Sequence, residues 1–427
     1  MKKITALLLV ICMLLFSSCS MVKSDGGGFH GGYGAAPEMG AEDFSDATDT
    51  DDGAPDEGGQ KVTLPAGMIT AAAWNDNKYY NDWLALFAQG EEANAKFYQY
   101  TLTNHSWGYN SLNRVEAIVT NADGAVAGAE VVAYDEQGNA SFSAVTDAQG
   151  RAYLFPQAKS GNITVKNGDE TVSASFSEDN RCVELQLSGA ENKLNVIEIM
   201  FVVDVTGSMG DELEFLKAEV ADVINRIAAN DSETVIKLAM LFYRDTDDDV
   251  PFDYYDFTTV TTPAGLAAQQ EALNNQRASG GGDYPEAVDD ALSIAVGKQW
   301  STGATTKIIF HVLDAPAHDN VANKQKLAAA TEKAAELGIR ICPIICSGSD
   351  IEVEYTMREV AIYTGGTFIF VTDDSGIGNS HHDPDLPNAT VELLNSLMVR
   401  LVKGYHTGEF EEPVYWKQDP NLASDNK

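Results

Sequence analysis

An apolar run, Val196-Ile197-Glu198-Ile199-Met200-Phe201-Val202-Val203, leads into Asp204-Val205-Thr206-Gly207-Ser208-Met209-Gly210, and there the pattern of the chain changes. The run is short and rich in branched side chains, which predicts a buried strand. Beyond it Met209, Leu213, Leu216, Val220, Val223, Ile224 and Ile227 recur at three- and four-residue steps. Asp211, Glu212, Glu214, Lys217, Glu219 and Asp222 fall largely between them, so the segment reads as an amphipathic helix. Asp204, Thr206 and Ser208 therefore lie on the loop where a strand ends and a helix begins. Asp-x-Thr-x-Ser offers one carboxylate and two hydroxyls at alternate positions of a single turn. Hard divalent cations such as Mg2+ take oxygen ligands of this kind and keep several waters.

The rest of the constellation lies downstream. Gly280-Gly281-Gly282-Asp283-Tyr284-Pro285-Glu286 opens another helix, with Pro285 suited to its first turn. Lys307-Ile308-Ile309-Phe310-His311-Val312-Leu313 reads as a second buried strand, and it ends on Asp314. Further strands are expected near 234–243, 253–260, 339–346 and 367–371, and helices at about 263–278, 285–299, 320–337, 351–363 and 387–403. The link between the strands at 234–243 and 253–260 is too short for a crossover helix, so that pair should be antiparallel. The alternation predicts an α/β domain with a doubly wound, mostly parallel sheet covered on both faces. In such sheets ligands bind beyond the carboxyl ends of strands where strand order reverses. Asp204 and Asp314 both occupy strand ends of this type.

Residues 194–403 resemble a von Willebrand factor type A domain, and the residues just named resemble its metal-ion-dependent adhesion site. The family motif is Asp-x-Ser-x-Ser, a Thr on a second loop and an Asp after the fourth strand. Asp204, Thr206, Ser208 and Asp314 match it, with Thr206 in place of the first Ser. On the second loop Gly281-Gly282-Asp283 stands where many members carry Gly-Gly-Thr. The sequence is closer to a branch with Gly-Gly-Gly-Asp-x-Pro-Glu and with Tyr-Arg-Asp after the second strand, here Tyr243-Arg244-Asp245. The resemblance implies Mg2+, or Mn2+ or Ca2+, held by Asp204, Thr206, Ser208 and Asp314, with Asp283 as the candidate replacing the Thr. It also implies an open coordination position for a carboxylate of a partner protein, and first and fourth strands side by side.

From 114 to 188 the period changes to two. Val115, Ala117 and Val119 precede the turn Asn121-Ala122-Asp123-Gly124, and Val131, Ala133 and Tyr134 precede Asp135-Glu136-Gln137-Gly138-Asn139. Asp147-Ala148-Gln149-Gly150 and Lys166-Asn167-Gly168-Asp169 mark further turns. Short strands at such spacing predict a small, all-β antiparallel sandwich. Gly128-Ala129-Glu130-Val131 and Thr146-Asp147-Ala148-Gln149-Gly150-Arg151-Ala152 resemble carboxypeptidase regulatory-like or transthyretin-like domains, modules that usually serve as stalks or spacers. Residues 61–113 are dense in aromatics, among them Trp74, Tyr79, Tyr80, Trp83, Phe87, Phe97, Tyr98, Tyr100, Trp107 and Tyr109. Aromatics at this density make core rather than ligand boxes, so the segment reads as a packing element that docks on a neighbour. Residues 404–427 are left as a C-terminal tail.

Residues 1–18 carry Lys2 and Lys3, the apolar run Ile4 to Phe16, and the small-residue exit Ser17-Ser18 before Cys19. The run is shorter than the ~20 residues that span a bilayer, and the segment is set aside as a targeting signal. It resembles a bacterial lipoprotein signal, which implies lipidation of Cys19; the alternatives are an ordinary secretory signal cut near Ser18 or a retained anchor. Residues 19–60 are rich in Gly and acid, with no Lys or Arg between Lys23 and Lys61, and read as a self-repelling tether. Over the whole chain 64 Asp and Glu outweigh 28 Lys and Arg, so nucleic acid is excluded as a partner: no basic surface is available for phosphate. After the signal, Cys182, Cys342 and Cys346 remain, and an odd number does not suggest a disulfide framework.

Asp245-Thr246-Asp247-Asp248-Asp249 is expected to be an exposed acidic loop, and His311 a core histidine. His381-His382-Asp383 is metal-capable but lacks spaced partners. The chain shows no Ser/His/Asp set, phosphate loop or zinc motif. The function expected is therefore that of a non-enzymatic, exported binding or adhesion protein, lipid-anchored to a bacterial membrane at its cell-surface or periplasmic face. The rivals are a scaffold subunit of a cell-envelope assembly and a metal-assisted hydrolase using Asp204 or Glu286 as general base.

Overall fold

The computed structural model describes residues 65–88, 95–189, 194–228, 234–376, 384, 386 and 389–422. The apolar runs form the middle of an eight-stranded sheet. Its order is Phe252–Thr259, Val235–Tyr243, Val196–Asp204, Thr306–Leu313, Ile339–Ile345, Phe368–Val371, Thr70–Trp74 and Glu392–Leu393. The strands from Val235–Tyr243 to Phe368–Val371 are parallel to their neighbours, and Phe252–Thr259 closes one edge antiparallel. Every residue of Thr306–Leu313 and Ile339–Ile345 is buried, as strands covered on both faces must be.

Two helical layers do the covering. On one face Leu213, Leu216 and Val220 of the helix Gly210–Ala228 and Leu397 and Leu401 of Leu394–Thr407 pack on Ile199, Phe201 and Phe310. The helices Val288–Val296, Val321–Glu336 and Ile351–Thr364 cover the other face. Helix starts are set by side-chain caps: the Asn320 carboxamide accepts from the amides of Ala322 and Asn323, and the Asp350 carboxylate from those of Glu352 and Val353.

The described residues of 61–113 do not form a separate packing element. Thr70–Trp74 is a strand of the main sheet, antiparallel to Phe368–Val371, with Ala71 opposite Val371 and Trp74 opposite Phe368. The aromatics that follow sit on the helix Ile351–Thr364, where Tyr100 stacks on Tyr355 at 3.9 Å and Phe97 meets the same ring edge-on at 5.3 Å. The α/β unit is thus discontinuous in sequence. Its C-terminal limit also lies beyond 403: the last helix runs to Thr407, Trp416 N donates to Val391 O at 2.9 Å, and Trp416 and Leu422 pack on Leu393.

Inserted into it, residues between Val115 and Gln186 form two four-stranded sheets. Val115–Asn121 alternates buried and half-buried residues, and Val131, Ala133, Ile163 and Val165 of the second sheet share its core. Asn121 Oδ1 accepts from the amides of Asp123 and Gly124 at 2.9 and 3.0 Å, which shapes the first turn. One pairing departs from the antiparallel expectation, since Cys182–Gln186 runs parallel to Val115–Asn121. The core continues into the helical layer, where the Phe155 ring stacks on Tyr363 at 4.3 Å. Among the described residues no helix is long and apolar enough to cross a membrane. The signal at 1–18, Cys19, the tether at 19–60 and His381-His382-Asp383 lie outside the described residues.

Candidate functional site

The site forms where the parallel strands end. Val196–Asp204 delivers Asp204 fully buried at its last position, and the chain then turns through Thr206 and Ser208 into the helix Gly210–Ala228. Thr206 donates twice to Asp204 Oδ1, from its amide at 2.9 Å and from its hydroxyl at 2.7 Å. Thr206 Oγ1 lies 3.3 Å from Ser208 Oγ. The neighbouring strand Thr306–Leu313 delivers Asp314, buried, whose carboxylate raises the pKa of Asp204. The structure thus brings Asp204, Thr206, Ser208 and Asp314 together.

The glycine loop supplies the next wall, but through a different carboxylate from the one expected. Asp283 is exposed, while Glu286 is buried. The helix after Pro285 begins only at Val288; Glu286 instead bridges Ala317 in strand fashion, its amide donating to Pro316 O at 2.9 Å. Gly281 has φ +79°, and a Cβ placed on it would stand 2.7 Å from Glu286 Oε1 and 3.4 Å from Thr206 Cβ. Only a residue without a side chain lets this loop lie between those two groups. Above it Tyr284 keeps its ring exposed while its hydroxyl donates to Asp314 O at 3.3 Å.

The acidic loop after Tyr243 is likewise not a merely solvated segment. Asp245 is buried and meets His318 Nε2 at 2.9 Å. Asp248 Oδ2 accepts from the amides of Gly281 and Asp245 at 2.9 and 3.2 Å, which pins the glycine loop. Glu212, from the first turn of the long helix, is buried as well, accepting from the Ser347 amide at 3.1 Å. His311 is a core residue, 3.1 Å from the Tyr243 hydroxyl, and burial pushes its pKa down to about 3.

The electrostatics are one-sided. Asp204 Oδ2, Glu212 Oε2, Glu286 Oε2 and Asp314 Oδ1 are all buried without a hydrogen-bond partner. Burial, then the Asp314 carboxylate, pushes the Asp204 pKa up to about 7, against the Thr206 hydrogen bonds and Arg244. Glu286 is pushed up to about 9, first by burial and then by Asp204, Asp245, Asp314 and Asp248. Asp314 is raised too, mainly by burial, with the Ser208 hydrogen bond opposing. Buried carboxylates are ordinarily paired or hold metal. Among the described residues no three His, Cys, Asp or Glu side chains form a metal-binding group by themselves. A cation would therefore rest on the hydroxyls of Thr206 and Ser208 and on water as well as on carboxylates. That mixed oxygen set fits a hard divalent ion that keeps part of its hydration shell.

Residues 198–373 match the family model of the von Willebrand factor A domain. The matched stretch begins inside the strand that carries Asp204 and ends just after Phe368–Val371, so Thr70–Trp74, both inserted sheets and the last helix lie outside it. Over 122 residues the chain is 27% identical to the alpha-protein kinase vwkA of Dictyostelium discoideum, a match covering 29% of this chain and 19% of that protein. The chain thus spans less than a fifth of the curated relative it matches. Among solved structures it is similar to the conserved hypothetical protein BatB from Bacteroides thetaiotaomicron, at 15% identity and TM-score 0.32 over 48% of this chain and 96% of that one. It is also similar to the pilus adhesin SpaC from Lactobacillus rhamnosus GG, at 9% identity and TM-score 0.37 over 65% and 36%. A third is proximal thread matrix protein 1 from the mussel byssus, at 14% identity and TM-score 0.34 over 50% and 47%.

Proposed function

We propose that the protein is a membrane-tethered, extracytoplasmic binding protein without catalytic activity of its own, and that it engages a partner protein through a divalent cation at this site. Asp204, Thr206, Ser208 and Asp314 would hold Mg2+ or Mn2+, with Glu286 rather than Asp283 as the carboxylate of the glycine loop. The observation that carries the reading is the set of four buried carboxylates, each with an oxygen left without a partner. When bound, the cation would supply an electrophilic position for a carboxylate of the partner.

The protein's own residues set the conditions for that exchange. The neutral hydroxyls of Thr206 and Ser208 add ligand oxygens without adding charge, so the cation is not neutralised by the site alone. Ser208 is exposed, and exposed Asp283 and the Tyr284 ring stand on the loop beside it, where a partner would meet them. Residues 1–18 and Cys19 would place the protein on a membrane, and the acidic segment 19–60 would hold the folded part away from it. The test is affinity capture from membranes with Mg2+ and again with EDTA, using the wild type and Asp204→Ala as bait. A partner retained only by wild type and released by EDTA is expected; the same proteins retained in all arms would refute cation-mediated binding.

A further inference from the structure

A second charged site lies at the opposite end of the same sheet. Lys307 is the second residue of Thr306–Leu313, so it stands on the order of 20 Å from the end that carries Asp314. There the start of the parallel strands and the inserted sheets leave a cleft of about 310 Å³, with Thr146 and Asp147 on one wall and Thr306, Lys307, Arg340 and Tyr405 on the other.

Lys307 and Arg340 are only 7% and 8% exposed, yet neither has a carboxylate partner among the described residues. Lys307 Nζ donates to Leu337 O at 2.9 Å. Arg340 reaches only Gly338 O, at 3.5 Å, and its guanidinium lies 5.5 Å from the Tyr405 ring centre. Glu198 faces Lys307 across the sheet register, but it already accepts from Lys237 at 2.9 Å and from the Ser301 amide at 2.8 Å. Burial holds the Lys307 pKa below that of an ordinary lysine; Glu198 opposes this, and the Arg340 charge adds to it. Cations withdrawn from water normally have an anion in contact. Two of them lining one cleft with no carboxylate in contact define a place where an oxyanion replaces the lost hydration through charge-assisted hydrogen bonds.

The mouth of the cleft has the opposite sign. Glu130 and Glu336 are exposed, Glu336 is paired with Lys333 at 2.8 Å, and Asp147 Oδ1 accepts from the amides of Gln149 and Arg151. A ligand with several negative charges would meet these acids, whereas one with a single anionic head and a neutral or cationic body would suit both ends. We propose that the cleft binds a small zwitterion, an amino acid or a short free peptide, carboxylate inward on Lys307 and Arg340 and ammonium toward the acidic mouth. A volume of this size suits a ligand of a few residues at most.

The experiment is calorimetric titration of the full chain with alanine, alanyl-alanine, alanyl-alanine amide and citrate. Binding of alanine or alanyl-alanine is expected, with the amide and citrate weaker by about tenfold or more. Arg340→Gln and Lys307→Met should each weaken it by a similar factor, with circular dichroism and melting cooperativity kept. Tighter binding of free alanine would identify a free amino acid as the ligand, and tighter binding of the dipeptide a short free peptide. Because Arg340 also packs on Tyr405, Lys307→Met decides the matter if Arg340→Gln unfolds. No heat from alanine or alanyl-alanine up to about 20 mM, equal binding of the amide or citrate, or binding untouched by the folded variants would overturn the proposal.

Discussion

Arg358 holds Asp76 with two hydrogen bonds, Nη2 to Oδ1 at 2.6 Å and Nε to Oδ2 at 3.0 Å, across 282 residues of sequence. Both side chains are 1% exposed. The guanidinium also reaches Glu354 at 3.0 Å and lies 5.2 Å from the Trp83 ring centre, and Lys96 meets Glu354 at 2.7 Å. This network fastens the segment after Thr70–Trp74 to the helix Ile351–Thr364. It is why the aromatic stretch belongs to the α/β unit.

Removing one member should be expensive. Asp76→Ala leaves the buried Arg358 charge only partly compensated, and losing one partner of a buried pair typically costs about 3–5 kcal/mol. The expected outcome in urea unfolding is a loss toward the lower end of that range, because Glu354 stays in contact. Lys159→Ala, which breaks a pair whose side chains are 77% and 61% exposed, should leave the midpoint unchanged. Equal effects of the two substitutions would show that the N-terminal segment is not fastened in this way.

How much of this was legible depended on how far a residue's role was written locally. Val196–Asp204 and Thr306–Leu313 announce themselves as continuous branched runs, and strand ends then place Asp204 and Asp314. The inserted sheets show through turn chemistry such as that of Asn121. Thr70–Trp74 was hidden: Thr-Ala-Ala-Ala-Trp carries almost no strand preference, and its partner strand lies near the other end of the chain. Glu286 reads from the sequence as a general base for a hydrolase and not as a cation ligand, on a stretch where Pro285 marks a helix start. The bridge to Ala317 delays the helix and leaves Glu286 buried beside Gly281 and Thr206, and no local periodicity encodes that bridge.

The glycine loop offers a graded test of site architecture. Gly281→Ala introduces a Cβ at 2.7 Å from Glu286 Oε1, on a backbone at φ +79°. A side chain in the left-handed region costs roughly 1 kcal/mol or more, and the contact adds to that. Gly282 has no atom within 4 Å of its would-be Cβ, so Gly282→Ala should be close to neutral. Thermal melts of the two variants in EDTA should separate them by several degrees, and the Mg2+-dependent shift should shrink in Gly281→Ala alone. Identical behaviour would mean that the loop does not press on Glu286 and Thr206.

Glu359 gives a pH test remote from that site. It accepts from the Ser111 hydroxyl at 2.9 Å, and burial pushes its pKa up to about 8 from an ordinary 4.5. The folded state therefore holds this proton more tightly than the unfolded chain does. The associated stability is fully present below about pH 4.5 and is lost as pH rises through about 8. Glu359→Gln keeps the acceptor for Ser111 and removes the ionisation. In melts with EDTA the variant should overtake wild type as pH rises from 5 to about 8.5. Parallel pH profiles for the two proteins would rule out a protonated Glu359 in the folded state.

The cation reading makes its sharpest claim at Asp204. Without metal its carboxylate is buried beside Asp314 with Oδ2 unpartnered, an arrangement that opposes ionisation and so lowers the stability of the folded state at neutral pH. Asp204→Ala should therefore show metal-free stability equal to wild type or slightly higher, even though a fully buried side chain has been cut back. Wild type should gain about 2.7 kcal/mol from Mg2+ at a hundredfold excess over its dissociation constant, and Asp204→Ala nothing. Ser208→Ala removes one neutral oxygen, 3.3 Å from Thr206 Oγ1, so it should keep a reduced shift. Asp283→Ala, altering an exposed residue, should keep nearly the full shift, whereas Glu286→Gln should diminish it. The measurement is a melting series against Mg2+, Mn2+ and EDTA, with calorimetry on wild type. If wild type shows neither a metal-dependent shift nor heat of binding, the four orphaned carboxylate oxygens have another cause and the cation site does not exist.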